Sequence, residues 1–172
     1  RGVNDHLMVE MAEHFRSSGN IVRFIEYMDV GTLNGWRLDD VVPSKDLASL
    51  IDAEHPIEPI EKNVASETSE RYRYKDGSGE LGFISSVTEP FCGDCTRSRL
   101  STDGKLFTCL FASDGRDLRD PLRAGATDDE IEALITRVWE ERTDRYSEER
   151  TDETAVLRQQ EGSKVEMFRI GG

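Results

Sequence analysis

Ile21-Val22-Arg23-Phe24-Ile25-Glu26-Tyr27-Met28 is the stretch on which the fold turns. Its β-branched and aromatic residues suit a half-buried strand, yet Arg23 and Glu26 place charges that a purely structural strand would not want. Upstream, Asn4 or Asp5 can cap a helix whose apolar positions Leu7, Met8, Met11, Ala12 and Phe15 recur at three- and four-residue spacing, with Gly19 placed to end it. Downstream, Asp29 to Trp36 contains Gly31, Asn34 and Gly35 and reads as a loop leaving the strand's C-terminal end. Ser44, just after Pro43, can cap a second helix through Leu47, Leu50 and Ile51. Helix, strand, loop, helix is the grammar of an α/β protein with parallel strands. The charged strand residues then sit near the end where such folds bind ligands.

The grammar changes after His55. Pro56, Pro59 and the polar run from Asn63 to Glu70 predict a linker over 56–70, dividing residues 1–55 from an extension over 71–172. That extension reads as β-rich, with strands at Arg71 to Tyr74 and Glu80 to Val87 and a hairpin from Leu100 to Leu110 turned at Asp103-Gly104. Thr127 with Glu130 makes a capping box for a last helix, whose Ile131, Leu134, Ile135 and Val138 form one apolar stripe. Glu140 to Gly162 is almost wholly polar and reads as a helix continuing outward, then a mobile segment. Val165 to Ile170 and Gly171-Gly172 close the chain, and no internal repeat is apparent.

The 172 residues carry 35 acidic against 22 basic side chains, a net charge of −13, with 36% hydrophobic content. This describes an acidic soluble domain or part of a larger one. No stretch reaches the roughly 18 to 20 uninterrupted apolar residues of a spanning helix, so no membrane role is expected. A nucleic-acid partner is not expected either, because the global field repels a phosphate backbone. Any anionic ligand must find a local basic island. The acidity fits a high-salt intracellular environment or an ordinary solvated surface. Arg1 in place of an initiator Met, with no signal peptide, suggests a fragment whose N-terminal partner lies upstream. Three cysteines are too few for a disulfide framework, which points to a reducing cytoplasm.

Those cysteines fall in one stretch: Cys92-Gly-Asp-Cys95, thirteen residues, then Cys109. Two thiolates three residues apart on a loop can reach one metal centre, and a third from the facing hairpin strand closes the site. A closed zinc site would want a fourth protein ligand. His6, His14 and His55 all lie in the other segment, which leaves Asp94 or another chain. An iron–sulfur cubane can instead be held by three cysteines with one iron open. Spacing alone leaves zinc and cluster level, with cysteines buried without metal as the bland alternative. Thr96-Arg97-Ser98-Arg99 then puts two guanidinium groups at alternate positions of an extended strand, both on one face beside the metal loop. Such a pair binds anions bidentately and supplies the basic island; its ordinary alternative is a solvated or salt-bridged surface pair.

The run from Phe83 to Phe111, Phe-Ile-Ser-Ser-Val-Thr-Glu-Pro-Phe-Cys-Gly-Asp-Cys-Thr-Arg-Ser-Arg-Leu-Ser-Thr-Asp-Gly-Lys-Leu-Phe-Thr-Cys-Leu-Phe, closely resembles the C-terminal cluster region of the MoaA family. These are radical S-adenosylmethionine enzymes, GTP 3′,8-cyclases of molybdenum cofactor biosynthesis. Gly2-Val3-Asn4-Asp5, Arg23 to Gly31 and the terminal Gly171-Gly172 resemble the same family in the same order, and the match is weaker from Asp114 to Lys164. The resemblance implies an α/β fold, the C-terminal part of an incomplete (β/α) barrel over residues 1–55. A small β-rich, iron–sulfur-binding extension with helices would follow. It implies that Cys92, Cys95 and Cys109 hold a second [4Fe-4S] cluster whose open iron binds the guanine of GTP, and that Arg97, Ser98 and Arg99 contact GTP. By the same resemblance Arg23 and Met28 meet S-adenosylmethionine. A cation suits its carboxylate and a polarizable thioether its adenine face, against ordinary strand packing or an ion pair of Arg23 with Glu26.

Gly171 and Gly172 are implied to enter the active site, where residues without Cβ let backbone amides approach a ligand; the alternative is a frayed end. The family's C-x3-C-x2-C loop, which holds the further [4Fe-4S] cluster that cleaves S-adenosylmethionine, does not occur in these residues. The implied activity is conversion of GTP to (8S)-3′,8-cyclo-7,8-dihydroguanosine 5′-triphosphate through a 5′-deoxyadenosyl radical. It is expected of a homodimeric full-length parent and not of this chain alone. A structural zinc module with three cysteines and an acidic fourth ligand is the alternative.

Overall fold

The computed structural model describes residues 1–31, 35–151 and 165–170. They form two compact units, one of residues 1–28 and 36–95, the other of residues 29–35 and 96–172. The first unit begins with a 3₁₀ turn at Asp5–Leu7 that runs into α1, Met8–Phe15. Neither Asn4 nor Asp5 caps the helix as expected; the Asp5 carboxylate instead accepts the Gly2 amide at 2.6 Å. Strand β1, Val22–Ile25, helix α2, Ser44–Glu54, and strands β2, Ile57–Ile60, β3, Glu70–Tyr74, and β4, Glu80–Ile84, follow. Their sheet has the order β1-β4-β3-β2, with β1 parallel to β4 and the other pairs antiparallel. The protein is therefore mixed α/β, with a single parallel pair in this sheet.

The parallel neighbour of β1 is not the strand that follows α2. It is β4, from a segment that the sequence reading assigns to the extension. Where a linker is expected over 56–70, Ile57–Ile60 form the outer strand, paired with Arg71–Tyr74. Pro59 is tolerated there because an edge strand has one side with no ladder bond to lose.

Packing explains the arrangement. Phe24 sits opposite Phe83 in register, their rings stacked 5.8 Å apart. With Leu81 and Tyr74 they form an apolar sheet face that Ala12 of α1 and Leu47 and Ile51 of α2 cover. Each fully buried side chain of this size contributes about 1.5 to 3 kcal/mol. The Tyr74 hydroxyl donates to the Ala12 carbonyl at 3.1 Å, which satisfies its polar tip inside the core.

Glu26 lies one residue beyond β1 and is 4% exposed. Its Oε1 accepts the Ser44 amide at 2.8 Å and the Thr88 hydroxyl at 2.6 Å, and its Oε2 accepts the amides of Val87 and Thr88, each at 2.8 Å. Ser44 thus does not cap α2: Pro43 precedes the helix, and the carboxylate of Glu26 fills the capping role from the neighbouring strand. A carboxylate is favoured there because the first amides of a helix are unsatisfied and carry partial positive charge.

The second unit contains a three-stranded antiparallel sheet of β5, Arg99–Leu100, β6, Lys105–Phe107, and β7, Arg116–Asp117. Its first hairpin turns at Asp103-Gly104 as expected. A short helix α3, Arg119–Arg123, precedes α4, Asp128–Glu140, which starts with the expected capping box: the Glu130 amide donates to the Thr127 hydroxyl and the Thr127 amide to the Glu130 carboxylate. The stripe Ile131, Leu134, Ile135 and Val138 is half-buried. Helix α4 does not continue outward. It ends at Glu140, and the chain forms a separate turn of helix, α5, at Tyr146–Glu149. Tyr146 and Arg150, polar on paper, make buried contacts here. Residues 152–162, the rest of the predicted mobile segment, lie outside the described residues.

Burial works to raise the Glu26 carboxyl, but the hydrogen bonds from Thr88, Ser44 and Val87 outweigh it and hold the group below its ordinary 4.5. Asp76 is held at about 2 by the Ser78 hydroxyl and amide and by the Arg16 guanidinium. Both carboxyls are depressed in the folded state. They therefore contribute stability above their ordinary values of 4.5 and 3.8 that is lost as pH falls through their folded-state values. Denaturant unfolding followed between pH 7 and pH 2 is expected to show this loss. Glu26→Gln keeps the shape but turns an NH2 towards backbone donors, so it is expected to cost about 3 kcal/mol at pH 7 and to flatten the acid dependence. Wild-type stability at pH 7 in the variant would contradict the assignment.

Candidate functional site

Side-chain alternation along β1 separates its two charges. Phe24 and Glu26 point into the core, whereas Arg23, Ile25 and Tyr27 are exposed, Ile25 by 57%. Arg23 does not pair with Glu26, whose four acceptor positions are filled by other groups. No ion pair or hydrogen bond of Arg23 occurs among the described residues. It lines a cavity of about 170 Å³ with Met8, Met11, Ile25 and Tyr27. Met28, half-buried, ends this part of the first unit.

Cys92 and Cys95 lie on one turn of the first unit, closed by the Cys95 amide donating to the Cys92 carbonyl at 3.3 Å. Cys92 is buried and Cys95 half-buried. The turn follows four residues after Thr88, so the Glu26 carboxylate fixes the strand end from which it departs. Asp94, the acidic candidate for a fourth ligand, is exposed on the same turn. Cys109 belongs to the second unit, on the turn after β6, and its Sγ accepts the Phe111 amide at 3.4 Å. No disulfide joins any of the three. Among the described residues no three His, Cys, Asp or Glu side chains are gathered as a metal-holding group. What fits a cluster is the chemistry of the donor set: three thiol side chains, two on one turn and the third accepting an N–H···S bond of the kind that tunes cluster thiolates.

Arg97 and Ser98 are exposed, and only Arg99 enters a strand, opposite Phe107. The expected extended strand over Thr96 to Arg99 is thus confined to its last residue. Gly171 and Gly172 lie outside the described residues. The segment leading to them ends in a 3₁₀ turn, Met167–Arg169, and in Ile170, which is 1% exposed.

Sequence reasoning does not single out Asp29, which is completely buried. Its Oδ1 pairs with Arg150 Nη2 at 2.8 Å, and its Oδ2 accepts the Tyr146 hydroxyl. The partners lie 117 and 121 residues along the chain, so no local pattern announces them; the one signal is an acidic residue following Met28 at the end of an apolar strand. Gly31, in the same loop, has φ +71, and a Cβ there would lie 2.1 Å from the Glu166 carboxylate.

A family model described as Molybdenum Cofactor Synthesis C matches residues 20–148. Among curated proteins, the GTP 3′,8-cyclase of Acidothermus cellulolyticus is 51% identical over 152 residues, covering 86% of this chain and 42% of its own length. That of Xanthomonas axonopodis pv. citri is 48% identical over 175 residues, covering 100% of this chain and 49% of its own. That of Staphylococcus carnosus is 42% identical over 173 residues, covering 100% and 50%. The chain spans about half the length of the curated relatives it matches.

Gly31→Ala is expected to cost about 1 kcal/mol for its left-handed backbone and to push the Glu166 carboxylate aside. Amide exchange over residues 165–170 should then accelerate. Unchanged exchange in that segment would show that Gly31 does not hold it.

Proposed function

This chain belongs to the Molybdenum Cofactor Synthesis C family, and from that premise we propose that it is the GTP-binding, second-cluster part of a GTP 3′,8-cyclase. The observation that carries the reading is the family match over residues 20–148, which runs through Arg23, Met28, Cys92, Cys95, Arg97, Ser98, Arg99 and Cys109. The names of the relatives supply the substrate and the reaction. The full-length protein converts GTP to (8S)-3′,8-cyclo-7,8-dihydroguanosine 5′-triphosphate, an early step of molybdenum cofactor biosynthesis. These 172 residues alone, without a C-x3-C-x2-C loop, do not catalyse it.

Cys92, Cys95 and Cys109 hold a [4Fe-4S] cluster. When bound, this cluster would supply an open iron for the guanine base, and S-adenosylmethionine with a further cluster would supply the radical chemistry. The chain's own residues bind and orient. Arg97 and Arg99 form the cationic island that lets a protein of net charge −13 accept a nucleoside triphosphate, with charge-assisted hydrogen bonds that a lysine would not align as well. Ser98 adds a hydroxyl between them. Arg23, on the open face of β1, meets the carboxylate of S-adenosylmethionine, and Met28 packs on its adenine. Gly171 and Gly172 bring backbone amides to the substrate without side-chain hindrance. The protein works as a cytoplasmic homodimer. No helix of the described residues is long and apolar enough to cross a membrane.

Calorimetric titration of the anaerobically reconstituted full-length protein with GTP tests this reading. Arg97→Ala and Arg99→Ala are each expected to weaken binding about 10- to 100-fold, the loss of one charge-assisted hydrogen-bonding group. Wild-type GTP affinity in both variants would overturn the assignment of the site.

A further inference from the structure

Cys109 is gripped on both sides by one later segment of the chain. On its N-terminal side, the Thr108 hydroxyl donates to the Asp144 carboxylate. Asp144 is itself held by Arg142, whose Nη2 donates to the Asp144 carbonyl at 3.2 Å and whose guanidinium lies 5.6 Å from the Trp139 ring centroid. On its C-terminal side stands Phe111, the residue whose amide donates to Cys109 Sγ. The Phe111 ring is 8% exposed and packs 4.7 Å from the Tyr146 ring, at a tilt of 42°. The Arg150 guanidinium lies over both rings, 5.2 Å from Phe111 and 5.4 Å from Tyr146.

Arg150 cannot drift from that position, because its charge is buried against Asp29. The two side chains are 4% and 0% exposed and 2.8 Å apart, and Tyr146 completes the triangle by donating its hydroxyl to the other Asp29 oxygen. A buried ion pair is tightly constrained, since moving either partner leaves an uncompensated charge in a poorly solvated place. The flat guanidinium spreads its charge over a group that can stack on both rings, which an ammonium cannot do. The order of constraint runs from Asp29 to Arg150 and Tyr146, from these to the Phe111 ring, and from the Phe111 backbone to the sulfur of Cys109.

The geometry points to Asp29, Tyr146 and Arg150 as positioning residues for Cys109: a buried aspartate–arginine pair that clamps Phe111 and thereby fixes the N–H···S bond and the direction of the third thiolate. The metal consequence rests on the functional reading above, and the clamp itself does not. Hydrogen bonds to cluster sulfurs and the orientation of ligand side chains tune a cluster and retain it, so loosening the clamp loosens the cluster. Asp29 is also the residue after Met28.

Residue-resolved amide exchange and iron retention in the full-length protein test the proposal together. In Arg150→Met and Phe111→Leu, the amides of residues 111 and 112 should exchange at least about tenfold faster, the factor expected for loss of a hydrogen bond, while α4 keeps its protection. Phe111→Leu leaves the ion pair intact, so it decides the matter if Arg150→Met unfolds the unit. Arg150→Lys should restore only part of the protection, because it returns the charge without the plane. After reconstitution with iron and sulfide, both disruptive variants should release iron from the second cluster to a chelator about tenfold faster than wild type. Unchanged exchange at 111 and 112 in Phe111→Leu overturns the clamp whatever the iron does. Accelerated exchange in a protein that never takes up a second cluster upholds the clamp and overturns the functional reading.

Discussion

The buried carboxylate of Glu26 is the constraint from which the first unit is organised. It stands where β1 ends, and its two oxygens receive four donors from the start of α2 and from the residues that follow β4. A carboxylate has about four acceptor positions, so the group is saturated and is charged at neutral pH despite its burial. The parallel pair β1 and β4 needs this clasp. Its paired register ends at Ile25 and Ile84, with a last bond from the Glu26 amide to the Ile84 carbonyl at 3.2 Å, and beyond it the backbone amides of Val87 and Thr88 would otherwise be left without acceptors in a partly buried place. The chain that leaves the clasp reaches Cys92 within four residues. The structural carboxylate thereby delivers two of the three thiol ligands of the proposed cluster to a defined strand end.

The second unit uses the same device in another form. Asp29, completely buried, is neutralised by a cation instead of by amides, and the cation carries the consequence to the third cysteine through two aromatic rings. Two buried acids at the end of one strand, three residues apart, thus support the two cysteine-bearing turns. The surface charge of the chain works against an anionic substrate, so in the proposed reading recognition falls to Arg99, in the short strand β5, and to Arg97, two residues before it.

The elements with strong local signals were readable from the sequence. The capping box at Thr127 and Glu130, the Asp103-Gly104 hairpin, and the helices beginning near Met8 and Ser44 all lie where periodicity and turn chemistry put them. In the candidate site, spacing and likeness to a family mark Cys92, Cys95, Cys109, Arg97 and Arg99. What could not be read depends on partners distant in the chain. The pairing of β2 with β3 turns an apparent linker into a sheet edge, because Ile57 and Ile60 are apolar at alternating depth only in the company of Tyr74 and Arg71. The roles of Glu26, Asp29 and Arg150 depend on groups 18 to 121 residues away. A polar composition over Glu140 to Arg150 does not disclose that the Arg150 side chain is buried, because its charge is met by Asp29, 121 residues away, and it lies over the rings of Phe111 and Tyr146.

In the proposed function, three thiolates hold a cluster with one open iron that GTP occupies. Mössbauer spectra of the full-length protein, reconstituted anaerobically with ⁵⁷Fe and recorded with and without GTP, address it most directly. The expected result is a cubane spectrum in which one iron of the second cluster changes on addition of GTP, a change that disappears with Cys109→Ser. Stoichiometric zinc with no cubane at Cys92, Cys95 and Cys109, or a second cluster whose spectrum is indifferent to GTP, would contradict it.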